Sequence, residues 1–371
     1  MSRKPRLPRR RAPASSGFEI QRQVTFWVAA LVVFLLLLWL LSAILLPFFA
    51  GAAIAYLFTP LTDRLERHGF NRLAAALLII LLVVMAFVVL ILLVAPVLGG
   101  QLSSFIDNIP TYVMRLQALI SDPSRPWVQK LVGAGFNADK SISELVTQGA
   151  GWLTTFLKSL WSGGRALVSL FSLIVVTPVV GFYLLYDWHR MIRTVDGWVP
   201  VHQRAVVREL AREVDAAIAG FVRGQTLVCI ILGAFYAVAL TLSGLNFGLL
   251  IGLIAGLITF IPYVGSLTGL IVSLGVAVAQ FWPNAMSIAI VLGIFLVGQF
   301  VEGNVLAPKL VGRSVGLHPV WLIFALLSFG YLFGFVGLIV AVPLAATIGV
   351  LARFALRRYL ASTFYTGAPD R

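Results

Sequence analysis

The sequence predicts an all-α, polytopic integral membrane protein. Three observations predict it: 60% of the 371 residues are hydrophobic, only 11% are charged, and apolar runs too long for strands recur along the whole chain. A soluble domain carries roughly a quarter charged residues, so this composition cannot supply a water-facing surface. In hydrocarbon every backbone N–H and C=O must be bonded internally, so runs of about 20 apolar residues read as helices. The pattern gives about seven to eight hydrophobic helices, including two broken or re-entrant helical pairs in the C-terminal half.

Charge comes next. The chain carries 28 Lys and Arg against 14 Asp and Glu, a formal net charge of +14. Nucleic-acid binding would gather that excess on one face of a globular domain, whereas here it sits at the chain ends and between apolar runs. Residues 1–23 crowd Arg3, Lys4, Arg6, Arg9, Arg10 and Arg11 among Pro5, Pro8 and Pro13. That composition stays disordered and favours an anionic lipid surface. Membrane lipid is therefore the expected partner, and nucleic acid is not.

The N-terminal membrane helices occupy residues 24–98. The run 24–46 is too long for the apolar core of a signal peptide and has no small-residue exit before Pro47, so it reads as a retained first span. Residues 47–61, bounded by Pro47 and Pro60, would extend only about 22 Å as helix, a short or broken crossing. A second clear span follows at 73–98. Residues 99–165 are more polar and interrupted by Pro110, Pro123 and Pro126, and read as an extracytoplasmic helical subdomain. Residues 166–186 form the next span.

Residues 187–223 hold an amphipathic helix, with Val206, Leu210, Val214 and Ile218 on one stripe and Arg204, Arg208 and Arg212 on another. Glu209 and Glu213 fall at helical spacing from those bases, as on a solvated face. Arg64, Arg67 and Arg72 in the first basic loop, this segment, and Arg353, Arg357 and Arg358 ahead of the 361–371 tail all mark cytoplasmic sides. Both termini are then cytoplasmic, in a multi-pass protein of a bacterial inner membrane.

The expected transport core is 224–360. After a span at 227–242, a glycine-dotted apolar stretch is interrupted at Ile261-Pro262-Tyr263-Val264-Gly265, making a broken pair over 247–280. A span at 285–301 separates it from a second pair over 318–351, broken at Phe333-Gly334-Phe335 between Gly330 and Gly337. Neither half of either pair comfortably covers about 30 Å of hydrocarbon. Parity makes the first pair open from outside and the second from inside, the arrangement of an inverted repeat around a transport site. Gly248, Gly252 and Gly256, with Gly265 and Gly269, also suit close helix packing.

Ionisable and amide groups inside apolar runs are few: Arg223, Gln225, Gln299 and Glu302, with Asn304 and Lys309 just beyond. Burying an ionisable group in lipid costs about 2.5 to 3.5 kcal/mol on insertion scales, which makes these the candidate pathway residues. Glu302 could pair with Arg223 or bind a coupling cation or proton; near a span end it could equally snorkel to the interface. There is no H-E-x-x-H, G-x-S-x-G or Walker A motif, and His68, His189, His202 and His318 are scattered. No enzyme activity, metal site or cofactor is expected.

The stretches PFFAGAAIAYLFTPLTDRLERHG, GFVRGQ, ITFIPYVGSLTG and QFVEGNVLAPKLVGRSVGLHPVWLIFALLSFGYLFGFVGLIVAVPLAA resemble the autoinducer-2 exporter (AI-2E) family, the PerM-like permeases, over roughly residues 24–360. The resemblance implies a secondary transporter or exporter of a small hydrophilic solute such as an autoinducer-2-like signal, with or without ion coupling. Its alternatives are a cation/proton antiporter and a passive channel. It also implies a homo-oligomer. Family motifs single out Pro262, Tyr263, Gly265, Glu302, Asn304, Pro308 and Gly312 in this chain.

Overall fold

The computed structural model describes Val33, Leu36, residues 40–120, 172–311 and 316–362, and Tyr365. The basic N-terminus, most of the first expected span, the greater part of the 99–165 subdomain, Gly312 and most of the tail lie outside those residues. The chain divides into two units at Leu45. Of the first, Val33, Leu36 and Leu40 are helical and exposed.

The second unit is helical throughout its described length, without a strand. Its helices, with the first beginning just before the unit boundary, are α1 (Ser42–Arg67), α2 (Arg72–Ile120), α3 (Thr177–Trp198), α4 (Arg204–Leu242), α5 (Gly248–Ile258), α6 (Val264–Phe281), α7 (Ala285–Val301) and α8 (Pro319–Leu360). A short π-helix at Ser172–Val176 leads into α3, and a longer one at Glu302–Val311 follows α7. Among the described residues, six helices are long and apolar enough to cross a membrane, with α5 as a shorter apolar helix. Large side chains such as Leu92, Leu93, Ile230 and Leu257 are exposed on their outer faces, as lipid-facing positions require.

Several expected boundaries are absent, among them Tyr186, past which α3 continues unbroken to Trp198. Pro47 does not end a span: it lies inside α1 together with Pro60, because membrane helices tolerate proline where neighbouring helices re-satisfy the backbone. The Thr177 hydroxyl of α3 donates to the Pro47 carbonyl at 3.3 Å, which ties α3 to α1 at this level. The span expected to stop at Leu98 runs on through Gly99, Gly100 and Pro110 as a single 49-residue helix, about 73 Å long. Falling hydropathy marks a change of surroundings, and no residue there forces a turn. The amphipathic segment and the following span are likewise one helix, the 39-residue α4.

The α3–α4 turn is clamped electrostatically. Arg208 donates from Nε and Nη2 to the two oxygens of Asp196, each at 2.7 Å. That two-point bond holds the Asp196 carboxyl below the usual carboxylate range.

Both broken pairs fold back on themselves. The five residues between α5 and α6 turn through Tyr263, held in the left-handed region at φ 67°. Gly265 then sits against the Thr259 backbone and Gly269 against Ala255, so α5 and α6 run antiparallel. At the base of this hairpin the Gln280 side chain accepts from Asn246 N and donates to Gly244 O, both at 2.8 Å. In α8 the chain reverses at Gly334 (φ 59°, ψ −140°), a conformation only glycine adopts readily. Gly337 packs on the Phe329 carbonyl, Gly330 on Leu338, and Gly349 on Leu317. The long apolar α8 is thus a hairpin of two arms, 319–333 and 335–360.

The hairpins enter from opposite ends of α4. The α5–α6 base follows the C-terminus of α4, where Gly248 packs on the Leu240 backbone. Beyond the α8 hairpin's base, Arg357 reaches Glu213 at 3.6 Å near the N-terminal end of α4. Ile261 and Val264 at the tip of the first hairpin pack among Leu326, Phe329, Leu338 and Ala341 of the second.

Glycine makes the α4–α5 contact possible. A Cβ on Gly252 would overlap the Ala237 backbone, and one on Gly256 the Gly233 Cα, whereas one on Gly275 would meet nothing. Overpacking costs about 1–3 kcal/mol or more. Gly252→Ala and Gly256→Ala should each lower the thermal unfolding midpoint in detergent, while Gly275→Ala stays within about 0.5 kcal/mol of wild type.

Candidate functional site

The site is built from the GFVRGQ segment of α4, whose side chains go to different elements. Phe221 meets Phe260 of the first hairpin tip edge-to-face, ring centroids 5.8 Å apart. Val222 packs in a cluster with Val342 and Leu322 of the α8 hairpin. Arg223 donates from Nε to the Tyr56 carbonyl of α1 at 2.9 Å. Gly224 lies so close to Leu310 of the second π-helix that a Cβ would strike its carbonyl. Gln225, buried, donates from Nε2 to the Thr259 carbonyl at 2.6 Å. Consecutive positions on a helix point about 100° apart, so a run of five reaches α1, both hairpins and the second π-helix.

The Gln225 bond answers a specific need. Carbonyls at the end of α5 have no continuing helix to bond, and water is absent from hydrocarbon. Gln225 supplies a donor to one of them. The Thr259 hydroxyl turns back to Ala255 O at 2.8 Å, so the break is bonded from within the protein.

A second feature lies beside the tip. A groove of about 300 Å³ between α6 and α7 is lined by Tyr263, Ser266, Leu267, Leu270, Phe295 and Gln299, among others. Gln299 donates from Nε2 to Glu302 Oε2 at 2.9 Å. Behind Phe295, the buried Tyr236 ring stacks at 4.6 Å and 20°. Its hydroxyl ends against Gly298, next to the Gln299 amide and within electrostatic reach of Glu302, without a hydrogen bond of good geometry. The groove thus offers two hydroxyls, an amide and a nearby carboxylate on an otherwise apolar wall.

The structure brings Pro262, Tyr263 and Gly265 together at the hairpin tip, Gln225 beneath them, and Gln299 with Glu302 along the groove. It does not bring Glu302 to Arg223: the suggested pair is replaced by Gln299–Glu302 and by Arg223 on Tyr56 O, because the two residues lie on different sides of α4. Asn304 donates back to Phe300 O at the end of α7 at 3.0 Å and is exposed, as are Pro308 and Lys309. Gly330, Gly334 and Gly337 sit at the fold of the second hairpin. Thr259, Ser266 and Tyr236 were not singled out in the sequence. The first two lie within two residues of the IPYVG break, and Tyr236 shares a stripe of α4 with Cys229, Gly233 and Leu240, a spacing that also fits ordinary packing. No group of three or more His, Cys, Asp or Glu suited to a metal ion occurs among the described residues.

With that geometry in hand, similarity to known proteins is informative. A sequence profile described as AI-2E family transporter matches residues 28–357. The chain is 30% identical over 352 residues to YrrI of Bacillus subtilis, designated a candidate transport protein, covering 90% of this chain and 97% of the relative. It is 28% identical over 310 residues to PerM of Escherichia coli K12, designated a candidate permease, covering 83% and 86%. A candidate transport protein of Mycobacterium tuberculosis is 26% identical over 322 residues, covering 84% and 83%.

Removing one partner of a buried hydrogen bond leaves the other unsatisfied at about 1–3 kcal/mol. Gln225→Leu should therefore destabilise the protein by that amount in thermal unfolding. It should also raise protease or hydrogen-exchange access selectively at residues 259–263, a change that a uniform loss of stability would not localise.

Proposed function

The chain belongs to the AI-2E family of transporters, and we propose that it carries a small hydrophilic solute along the α6–α7 groove, past the tip of the first hairpin, with ion coupling through Glu302. The observation that supports this reading is the pair of oppositely inserted hairpins whose tips pack together beside GFVRGQ. Paired interrupted helices in corresponding positions mark the binding site in many transporter folds. A groove of about 300 Å³ stands at the lower end of ligand pockets, roughly 300–1,000 Å³, so it suits a small cargo.

In this mechanism the basic N-terminal end of α4 is cytoplasmic, which puts the first hairpin's base on the outer side. Tyr263, Ser266 and Gln299 offer hydrogen bonds to hydroxyl and carbonyl groups of the cargo. Glu302 stands at the end of α7, where helix geometry widens into the π-helix, and π-turns recur at functional sites. A proton or small cation on its carboxylate would change the charge beside the groove, and so favour one arrangement of the hairpins over the other. Export of an autoinducer-2-like molecule and cation/proton antiport are the two forms this takes.

Flux into proteoliposomes tests the proposal, with wild type beside Glu302→Gln, imposed proton or sodium gradients, and autoinducer-2 among the solutes. Gradient-driven flux that falls about tenfold or more in Glu302→Gln, a loss of some 1.4 kcal/mol, supports coupling at this residue. Equal flux in both proteins removes Glu302 from the pathway, and flux indifferent to every gradient identifies a passive channel.

A further inference from the structure

A second polar cavity lies away from the groove. It is a small space of about 60 Å³ among α1, α3 and α4, lined by Tyr56, Thr59, Trp188, Asp215 and Arg223 together with small apolar residues. At roughly 30 Å³ per molecule of liquid water, it has room for about two waters or one compact ion. Trp188 closes one side, with its ring edge-on to Tyr56 at 5.5 Å.

Its charges are unevenly used. Asp215, Ala219 and Arg223 follow one stripe of α4 at four-residue intervals, which places Asp215 and Arg223 about 12 Å apart along the axis. The two form no ion pair. Asp215 is exposed at one end, within electrostatic reach of the Tyr56 hydroxyl. The Thr59 hydroxyl is already bonded to Ala55 O at 2.6 Å.

Arg223 is half-buried, and its one hydrogen bond among the described residues is from Nε to Tyr56 O at 2.9 Å. That anchor fixes the guanidinium and leaves the four N–H donors of its two Nη groups. A partly desolvated guanidinium without a carboxylate beside it is costly unless an anion completes it. Its planar fork matches an oxyanion in two-point fashion.

We propose that this cavity is a binding site for one small oxyanion, a carboxylate or phosphate group, held by Arg223 between α1 and α4. A metal cation is disfavoured there by the guanidinium itself. The Asp215 carboxylate at the far end limits the site to a single negative group, since a second would approach a like charge. Free anion and lipid headgroup share this chemistry and differ only in how they arrive. Occupation would tie α1 to the residue next to Gly224 and Gln225, which seat the π-helix and the hairpin tip.

The test is an equilibrium measurement without flux, so its result is independent of the transport reading. Protein in a maltoside detergent and a chloride-only buffer is titrated with inorganic phosphate, acetate or short-chain phosphatidylglycerol, and the thermal unfolding midpoint is followed. The expected result is a saturable rise in wild type. A rise with phosphate or acetate assigns the site to free oxyanions, and one with phosphatidylglycerol alone assigns it to a headgroup. Arg223→Gln should weaken the apparent affinity about tenfold or more, and Asp215→Asn should retain or strengthen it. Ala219→Val, which fills the cavity while keeping the guanidinium, should also abolish the response and serves if Arg223→Gln does not fold. No saturable rise with any ligand in wild type, or an undiminished response in Arg223→Gln or Ala219→Val, overturns the proposal.

Discussion

A helix that stops within a bilayer must have its terminal carbonyls bonded by protein, because hydrocarbon has no donor to offer. In this fold that demand is met at Thr259, whose carbonyl accepts from buried Gln225. The first hairpin can turn where it does because α4 places an amide donor beneath it. Around that bond the other contacts fall into place: Phe260 on Phe221, Gly265 on Thr259, and Ile261 in the cluster with Leu326 and Ala341.

Packing in such a bundle cannot rest on hydrophobic burial alone, since lipid tails are as apolar as leucine. The alternative is close approach of backbones. Gly248, Gly252 and Gly256 bring α5 against α4 over about two turns, and Gly224 does the same for the second π-helix. Gly298 serves differently, making room for the Tyr236 ring so that its hydroxyl stands beside Gln299. Small residues therefore set both the rigidity of the core and the position of its polar groups.

Much of this was readable from the amino acids, and the parts that were not share a cause. The helix Ala285–Val301 matches its expected limits, and the IPYVG and Phe333-Gly334-Phe335 breaks lie where glycine and proline place them. Boundaries went astray where hydropathy changed without a residue that breaks a helix, as at Leu98 and between residues 222 and 227. Pro47 misled in the opposite sense, a local breaker overridden by tertiary context. Among candidate site residues, Gln225, Gln299 and Glu302 stood out because polar groups are rare in apolar runs, and Tyr263 because it lies in the IPYVG break and in a family motif. Thr259 and Tyr236 did not, since a threonine at a helix end and a tyrosine on a buried stripe have common structural uses. Pairwise contacts such as Arg223 with Tyr56 depend on how distant segments meet, which spacing along one chain does not encode.

The shortness of α5 bears on how the protein is made. Eleven residues extend only about 16 Å, well below what a free transmembrane segment requires. Such a segment stays in the membrane only in company, and the surface it needs, the small-residue face of α4, precedes it in the chain. When α5 and α6 emerge during synthesis, their seat already exists, and the α8 hairpin then meets a tip that is in position. The linear order of the gene product is therefore also a workable order of assembly, with each marginal segment following the one that retains it.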